Sequence, residues 1–138
     1  MLKHSSILIL LIAFSQTKGA NLLQSKSEET NVQGYHSIAT DLNKTLEIRL
    51  SHANRLLKLQ RLDLAANAYD TILNNTQSDA DLDWKLLAIE GLGKCGSDFK
   101  GRAVFFLMDI VANATATATK KQQKKARTIL EKWKITIK

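Results

Sequence analysis

Apolar residues recur along this chain at helical spacing, in segments separated by short polar connections. In the first of these segments, Leu42, Leu46 and Leu50 are followed by further Leu and Ala residues at three- and four-residue steps. Such steps place apolar side chains on one face of an α-helix, whereas a strand alternates at every second residue. The pattern predicts a first helix that begins at Thr40, as the N-cap, and ends near Leu59.

Three further segments with the same spacing predict three more helices. The predicted N-caps are Asp63 for the second helix and Ser97 or Asp98 for the fourth. The third helix follows the stretch Ser78–Asp81, which has the character of a capping box with an acid in place of Glu or Gln. The glycines expected to end this third helix are Gly91, Gly93 and Gly96.

The apolar faces of these three helices predict the protein core. Their inward-facing residues are, in chain order, Ala65, Ala66, Tyr69, Ile72, Leu73, Leu82, Leu86, Ile89, Leu92, Phe99, Ala103, Phe106, Leu107, Ile110 and Val111. The fourth helix is the most apolar segment of the mature chain, so we expect it to be the most buried. Connections as short as residues 60–62 place consecutive helices side by side and antiparallel.

The helical pattern repeats when the sequence is shifted against itself by 38 residues. The shift aligns Ala65 with Ala103 and Tyr69 with Leu107. Self-similarity of this period is typical of stacked helical hairpins, each burying its apolar face on the next. Residues 38–112 are therefore predicted to form two stacked antiparallel hairpins of an all-α fold.

The chain ends in a predicted basic amphipathic helix over residues 120–138. Residues 113–119 alternate Ala and Thr and are read as a linker, after which Thr119 and Gln122 form a capping box. The apolar stripe consists of Ala126, Ile129, Leu130, Trp133 and Ile137. We expect this helix to cap the hairpins, with its stripe on the fourth helix and its charged side in water.

The hairpin pattern resembles the tetratricopeptide repeat, a helical-hairpin solenoid. Ala65, Tyr69 and Ile72 are similar to the small–aromatic–small pattern of that family's second helix, with Ile where Ala is usual. Trp84, Leu87 and Ala88 fit its first helix, but Gly91 stands where an aromatic belongs. The period of 38 exceeds the usual 34 and the chain has no Pro. The resemblance implies a short solenoid that binds peptides or protein partners in a concave groove.

The N-terminus has the layout of a secretory signal peptide. Lys3 precedes the unbroken apolar run 7–14, and small or polar residues follow it up to a predicted cut before Ala20. Eight apolar residues span only about 12 Å as a helix, whereas a bilayer core is about 30 Å thick. We therefore assign residues 1–19 to the signal and 20–37 to a flexible polar leader. The mature chain is expected in the periplasm or outside the cell, without a transmembrane span.

The positive charge of the protein is concentrated in the last predicted helix. Residues 120–138 hold eight Lys or Arg and one Glu, whereas residues 20–119 hold ten Lys or Arg and twelve Asp or Glu. This asymmetry suggests a surface for anionic partners such as lipid headgroups, acidic polysaccharide or an acidic protein. Nucleic acid is the least favoured of these partners, because export separates the chain from most of it. The candidate contacts are Lys120, Lys121, Lys124, Lys125, Arg127, Lys132 and Lys134.

No pattern for catalysis, a cofactor or a metal emerges from the sequence. His36 and His52 lack a ligand partner at helical spacing, and no phosphate-binding Gly loop occurs. The acids of the segment 79–90 match four positions of an EF-hand loop, but Trp84 replaces its essential Gly, so we interpret the segment as a helix start. The lone Cys95 is read as a small core residue, with a dimer-forming thiol as the alternative.

Three Asn-x-Thr sequences would be glycosylation acceptors in a eukaryotic secretory pathway. Their asparagines are Asn43, Asn74 and Asn113. Three such sequences are a modest excess over the number expected by chance. In a bacterium they would have no meaning.

Three functions remain in competition at this point. The first is an exported, non-enzymatic helical-repeat module that binds an unidentified protein or peptide partner. The alternative is a peripheral binder of anionic membrane or glycan surfaces through the basic C-terminal helix. The third is a small hydrolase-like enzyme whose site is assembled only in space. An exposed stripe at Ile129, Leu130 and Trp133 would favour the second function.

Overall fold

The computed structural model describes residues 26–75, 81–112 and 118–135, and these residues form six helices without a strand. Helix α1 covers residues 26–39. The other helices are α2 (Leu46–Lys58), α3 (Leu62–Asn75), α4 (Leu82–Gly93), α5 (Ser97–Ala112) and α6 (Lys120–Lys132). The all-α prediction is therefore confirmed. The proposed signal at 1–19, most of the linker, and the residues Ser78, Asp79, Asn113 and Ile137 lie outside the described residues.

The chain divides into two compact units, Met1–Gly34 and Tyr35–Lys138. In the first unit, the described residues 26–34 are helical. The prediction of a flexible leader over residues 20–37 is thus wrong from residue 26 onward. The segment lacks an apolar period, and periodicity was the signal for the other helices. Its helix instead uses local bonds, such as the one that Gln33 Nε2 donates to Glu29 Oε1 over 3.1 Å.

The second unit is a stack of helical hairpins with solenoid packing. Each helix from α2 to α6 packs on the next one, and α2 with α4 and α4 with α6 form additional contacts. Helix α4 is therefore a neighbour of both α2 and α6, and these three helices form one layer. Tyr69 and Leu107, the residues aligned by the sequence shift, are both fully buried. The predicted hairpin stack is confirmed.

Helix α6 caps this stack, and the helical part of its apolar stripe is buried. Ala126, Ile129 and Leu130 are buried, and a Cβ on Gly93 of α4 would lie within 2.4 Å of the ring of Trp133. At the opposite end, Gln122 Nε2 donates to Asp83 Oδ1 over 3.2 Å. The N-terminal ends of α4 and α6 are thus in contact, and so are their C-terminal ends. The two helices are therefore parallel neighbours.

The capping box of α6 is confirmed, but the helix is shorter than the predicted range 120–138. Thr119 Oγ1 accepts from Gln122 N over 3.1 Å, and Gln122 Oε1 accepts from Thr119 N over 2.9 Å. The helix ends at Lys132, because Lys134 adopts a positive φ of 61°. Trp133 follows the last helical residue and still reaches α4.

Other predicted starts and ends differ by a few residues. Helix α2 begins after Thr45, not Thr40, because Asn43 N donates to Asp41 Oδ1 in a turn that delays the helix. Helix α3 begins at Leu62, so Asp63 lies in its first turn instead of capping it. Two of the three glycines expected to end α4 lie inside the helix, namely Gly91 and Gly93. Only Gly96, with a φ of 134°, follows the end of α4.

Helices α2 and α6 end in the same way, which supports their equivalence in the repeat. Arg61 N donates to Leu56 O over 3.0 Å, and Ile135 N donates to Leu130 O over 2.9 Å. With the positive φ of Gln60 and Lys134, these bonds form Schellman caps. A third positive φ falls at Gly96, after α4.

The expectation that the fourth predicted helix, α5, is the most buried is wrong. Only Ala103 and Leu107 are buried on α5, whereas α3 buries six residues. Phe105 is 74% exposed and Met108 is 45% exposed. Helix α5 is packed by α4 and α6 on one side only, so its apolar content exceeds the area that its neighbours can cover. No described helix is long and apolar enough to cross a membrane.

Candidate binding groove

A groove with a volume of about 790 Å³ lies between α2, the start of α3, and α4. It opens on the layer formed by the alternate helices. Its lining residues are Leu50, Ser51, Asn54, Arg55, Leu57, Lys58, Gln60, Leu62, Leu87, Glu90, Gly91 and Lys94. The sequence analysis named three of these residues, Leu50, Leu87 and Gly91, without recognising a groove.

The floor of the groove depends on the contact between Gly91 and Tyr69. A Cβ at Gly91 would lie 2.3 to 2.7 Å from three ring atoms of Tyr69, so only glycine lets the ring lie against α4. The hydroxyl of Tyr69 donates to Asn54 Oδ1 of α2 over 2.5 Å. Tyr69 thus ties α3 to both walls of the groove, and its burial raises the pKa of the phenol.

The groove is electropositive. Arg55, Lys58 and Lys94 line it against a single carboxylate, Glu90. Lys58 and Lys94 are exposed, so their charges are accessible to a ligand. Cations around a concave surface raise the local concentration of anionic ligands.

Arg55 is positioned by aromatic contacts at one side of the groove. Its guanidinium carbon lies 5.3 Å from the ring centroid of Tyr35, which in turn lies 5.9 Å from the ring of His52. His52 Nδ1 donates to Ile48 O over 2.8 Å, and this bond fixes the imidazole. A cation held over an aromatic face keeps a fixed direction at low entropic cost.

Apolar side chains complete the lining of the groove. Leu50 is buried, whereas Leu87 is 42% exposed and Leu57 and Leu62 are half-buried. Ser51, as well as Gln60 at the Schellman turn, adds groups that can bond a ligand backbone. A concave surface with apolar patches and a few polar groups is typical of binding sites.

The cationic residues predicted from the last helix lie on the open side of α6. All seven, Lys120, Lys121, Lys124, Lys125, Arg127, Lys132 and Lys134, are exposed. Because Ala126, Ile129 and Leu130 are buried, the helical part of this surface offers charge without an apolar side for insertion into lipid. The sequence condition that favoured a membrane binder, an exposed stripe, is not met at Ile129 and Leu130.

The predicted glycosylation acceptors differ in their surroundings. Asn43 is exposed in the turn before α2, whereas Asn74 is exposed within the last turn of α3. The third acceptor, Asn113, lies outside the described residues. Neither of the two described asparagines lines the groove.

Cys95 and His36 are titratable residues that do not line the groove. Cys95 is buried, its Sγ donates to Gly91 O over 3.3 Å, and burial raises the pKa of the thiol to about 11. This agrees with the small-core-residue reading. His36 Nε2 donates to Asn67 Oδ1 over 2.8 Å. Among the described residues, no group of three or more His, Cys, Asp or Glu is placed to hold a metal.

Neither models of protein families, nor curated proteins, nor solved structures give a match to this chain. Function must therefore be argued from the groove and the charge distribution.

Proposed function

We propose that this protein is an exported, non-enzymatic helical-repeat module that binds a segment of another protein in the groove between α2 and α4. The observation that carries the proposal is the groove itself, a concave site of about 790 Å³ on the layer of alternate helices. It combines exposed apolar area at Leu87 with polar groups at Asn54 and Ser51. Side chains and backbone of a polypeptide need both kinds of contact.

The tetratricopeptide-like interpretation belongs to this proposal. Ala65, Tyr69 and Ile72 are buried on α3, and the second helix of each hairpin packs between two first helices. In such a stack the first helices line the concave side, where α2 and α4 form the groove. The departure at Gly91 is explained by the ring of Tyr69.

Peptide selection tests the binding function. A displayed library of random peptides is selected on the mature chain, and the enriched peptides are assayed on two variants, Leu87→Gln in the groove and Phe105→Gln on α5. Both residues are exposed apolar side chains, so neither substitution should perturb folding. We expect binding to fall at least tenfold in Leu87→Gln and to remain unchanged in Phe105→Gln. The opposite pattern, or no enrichment, would contradict the proposal.

A second candidate function is adhesion to anionic surfaces through α6. It is supported by the seven exposed cations of that helix. With the apolar stripe covered, such binding would be electrostatic and would weaken strongly as salt rises. The chain should then bind vesicles containing phosphatidylserine at a salt concentration of about 20 mM. At this concentration the Debye length is roughly 20 Å. Equal binding to uncharged vesicles would contradict this function.

Export is part of the first proposal and has its own test. It is motivated by the signal-like layout of residues 1–19. The chain recovered from the medium or periplasm of its source cells should begin at Ala20 or Asn21 by mass spectrometry. Recovery of an intact Met1 would contradict it.

A further inference from the structure

We infer that the partner segment is an extended acidic polypeptide, recognised by a row of three lysines at the ends of the alternate helices. This lysine row consists of Lys58, Lys94 and Lys132. Lys58 and Lys132 are the last residues of α2 and α6, and Lys94 directly follows α4. The inference rests on the proposed function, because two of the three lysines line the groove.

The repeat places the three lysines at equivalent positions. Each lies two residues before a residue with positive φ, namely Gln60, Gly96 and Lys134. Since α2, α4 and α6 are parallel neighbours, their C-terminal ends lie along one edge of the layer. The contact of Trp133 with Gly93 brings the ends of α6 and α4 together.

Compensation of helix dipoles does not account for this distribution. A lysine near a helix C-terminus is ordinarily favourable, and such an effect would apply to all helices alike. Yet α3 and α5, which end at the opposite edge, have no basic residue in their last turns. Basic residues at helix ends are thus confined to the layer that forms the groove.

The three ammonium groups are available to a ligand. Lys58, Lys94 and Lys132 are all exposed. Within the described part of the chain, no ion pair occupies them, whereas Arg102 is engaged by Asp70 over 2.8 Å. Unpaired cations in a row on one edge are an electrostatic counterpart for carboxylates.

The spacing of the helices sets the spacing of the acids in the partner. Neighbouring packed helices lie about 8–10 Å apart, and an extended chain advances about 3.3 Å per residue. Carboxylates at every third residue therefore meet successive lysines. The apolar contacts at Leu57, Leu62 and Leu87 favour a polypeptide over a sulfated glycan, which has no apolar side chains to place there. A concave groove also excludes a flat membrane as the ligand of this edge.

Fluorescence anisotropy with synthetic peptides tests the inference on the mature chain. The probe is a labelled ten-residue peptide with Glu at every third position and Leu or Ala between. One comparison peptide has the same composition with its Glu residues adjacent, and another has Gln in place of Glu. We expect the spaced probe to bind at least tenfold more tightly than both, and its affinity to fall with added salt.

Matched variants separate the lysine row from general charge. Lys58→Gln with Lys94→Gln removes two cations of the row. The control pair is Lys44→Gln with Lys85→Gln, which removes the same charge near the starts of α2 and α4, outside the lining of the groove. The row variant should lose at least tenfold in affinity for the spaced probe and the control less than twofold.

The outcomes distinguish this inference from the proposed function. If the Gln peptide binds as tightly as the spaced probe and both depend on Leu87, groove binding stands and the lysine row is refuted. Equal losses in the two variant pairs also refute the row. If heparin displaces the spaced probe and binds tightly without dependence on Leu87, the ligand is a polyanion of another class. No binding of any peptide at millimolar concentration overturns both.

Discussion

The contact between Gly91 and Tyr69 sets how closely α3 and α4 pack. Gly91 is a helical glycine, so replacement by Ala would raise helix propensity in isolation by roughly 1 kcal/mol. The steric clash outweighs this gain, because the added Cβ meets the ring at 2.3 Å. Tyr69 cannot move aside easily, since it is fully buried and its hydroxyl is bonded to Asn54.

We predict that Gly91→Ala lowers the free energy of unfolding by about 1–3 kcal/mol, the range of an overpacked core. Gly101→Ala is the matched control, because it is also a helical glycine but has nothing within 4 Å of its added Cβ. The control should be stabilised by roughly 0.5–1 kcal/mol. Urea unfolding of both variants measures the two effects. Equal gains in stability would show that α3 and α4 are not in this contact.

Asp70 carries an unfavourable buried charge. Its Oδ1 is buried without a hydrogen-bond partner, although Oδ2 accepts from Arg102. Burial raises the pKa of this carboxyl, and the charge of Arg102 only partly opposes the rise. A pKa raised by folding means that the folded state binds the proton more tightly, so the destabilisation is full above the folded pKa and is relieved as pH falls through it.

We therefore predict that Asp70→Asn gains stability relative to the wild type at pH 7 and that this gain shrinks toward pH 4. Asp109→Asn on α5, where the side chain is exposed, removes the same charge and serves as the control. Thermal unfolding at a series of pH values measures the difference. A variant that is weakened more at pH 7 than at pH 4 would mean that Arg102 stabilises the carboxylate outright.

At the scale of helices, Trp133 adds an aromatic contact to the docking of α6. Trp133 lies against Gly93, and the ammonium of Lys100 lies 5.5 Å from its ring centroid. The ring is half-buried, so its truncation removes less apolar area than a fully buried Trp would.

We predict that Trp133→Ala lowers the free energy of unfolding by about 2–3 kcal/mol, at or below the lower end for buried aromatic residues. In a Trp84→Phe background, iodide should quench Trp133 only partly in the free protein. Full quenching, together with an unchanged stability of Trp133→Ala, would contradict the capping role of α6.

The sequence predicts helices best where an apolar period is strong. The cores of α2 to α6 and the capping box at Thr119 follow from local patterns and are confirmed. Helix α1 was missed because its residues are polar, and the start of α2 was misplaced because Thr40 and Thr45 are both suitable caps. Thr45 is the cap, because its side chain accepts from Ile48 N. The turn before Thr45 decides between the two threonines.

The groove could not be predicted from any single segment. It is formed by residues from two helices that become neighbours only through stacking. The lysines at 58, 94 and 132 do recur at nearly the repeat period, which is a signal that the sequence contains. The role of these lysines depends on where the helices end, and those positions come from the structure. The exposure of Phe105 likewise depends on how many neighbours α5 has.

At the scale of the whole molecule, two features of the stack have separate roles. Buried side chains from every helix of the stack, Tyr69 and Leu107 among them, form the core. The first helices, with the Gly91 contact beneath them, form the groove. A solenoid is typically closed by a terminal helix with a polar outer face, and α6, with its exposed lysines, takes that position.

The central claim is that a partner segment binds on α2 and α4, and a backbone NMR titration tests it most directly. The mature chain labelled with nitrogen-15 is titrated with a peptide selected on it as described above. The account predicts that the largest amide shifts occur at Ser51, Asn54, Gly91 and Lys94, while Gly101 on α5 is unaffected. Largest shifts on the exposed side of α5, or on the outer charged side of α6, would contradict it.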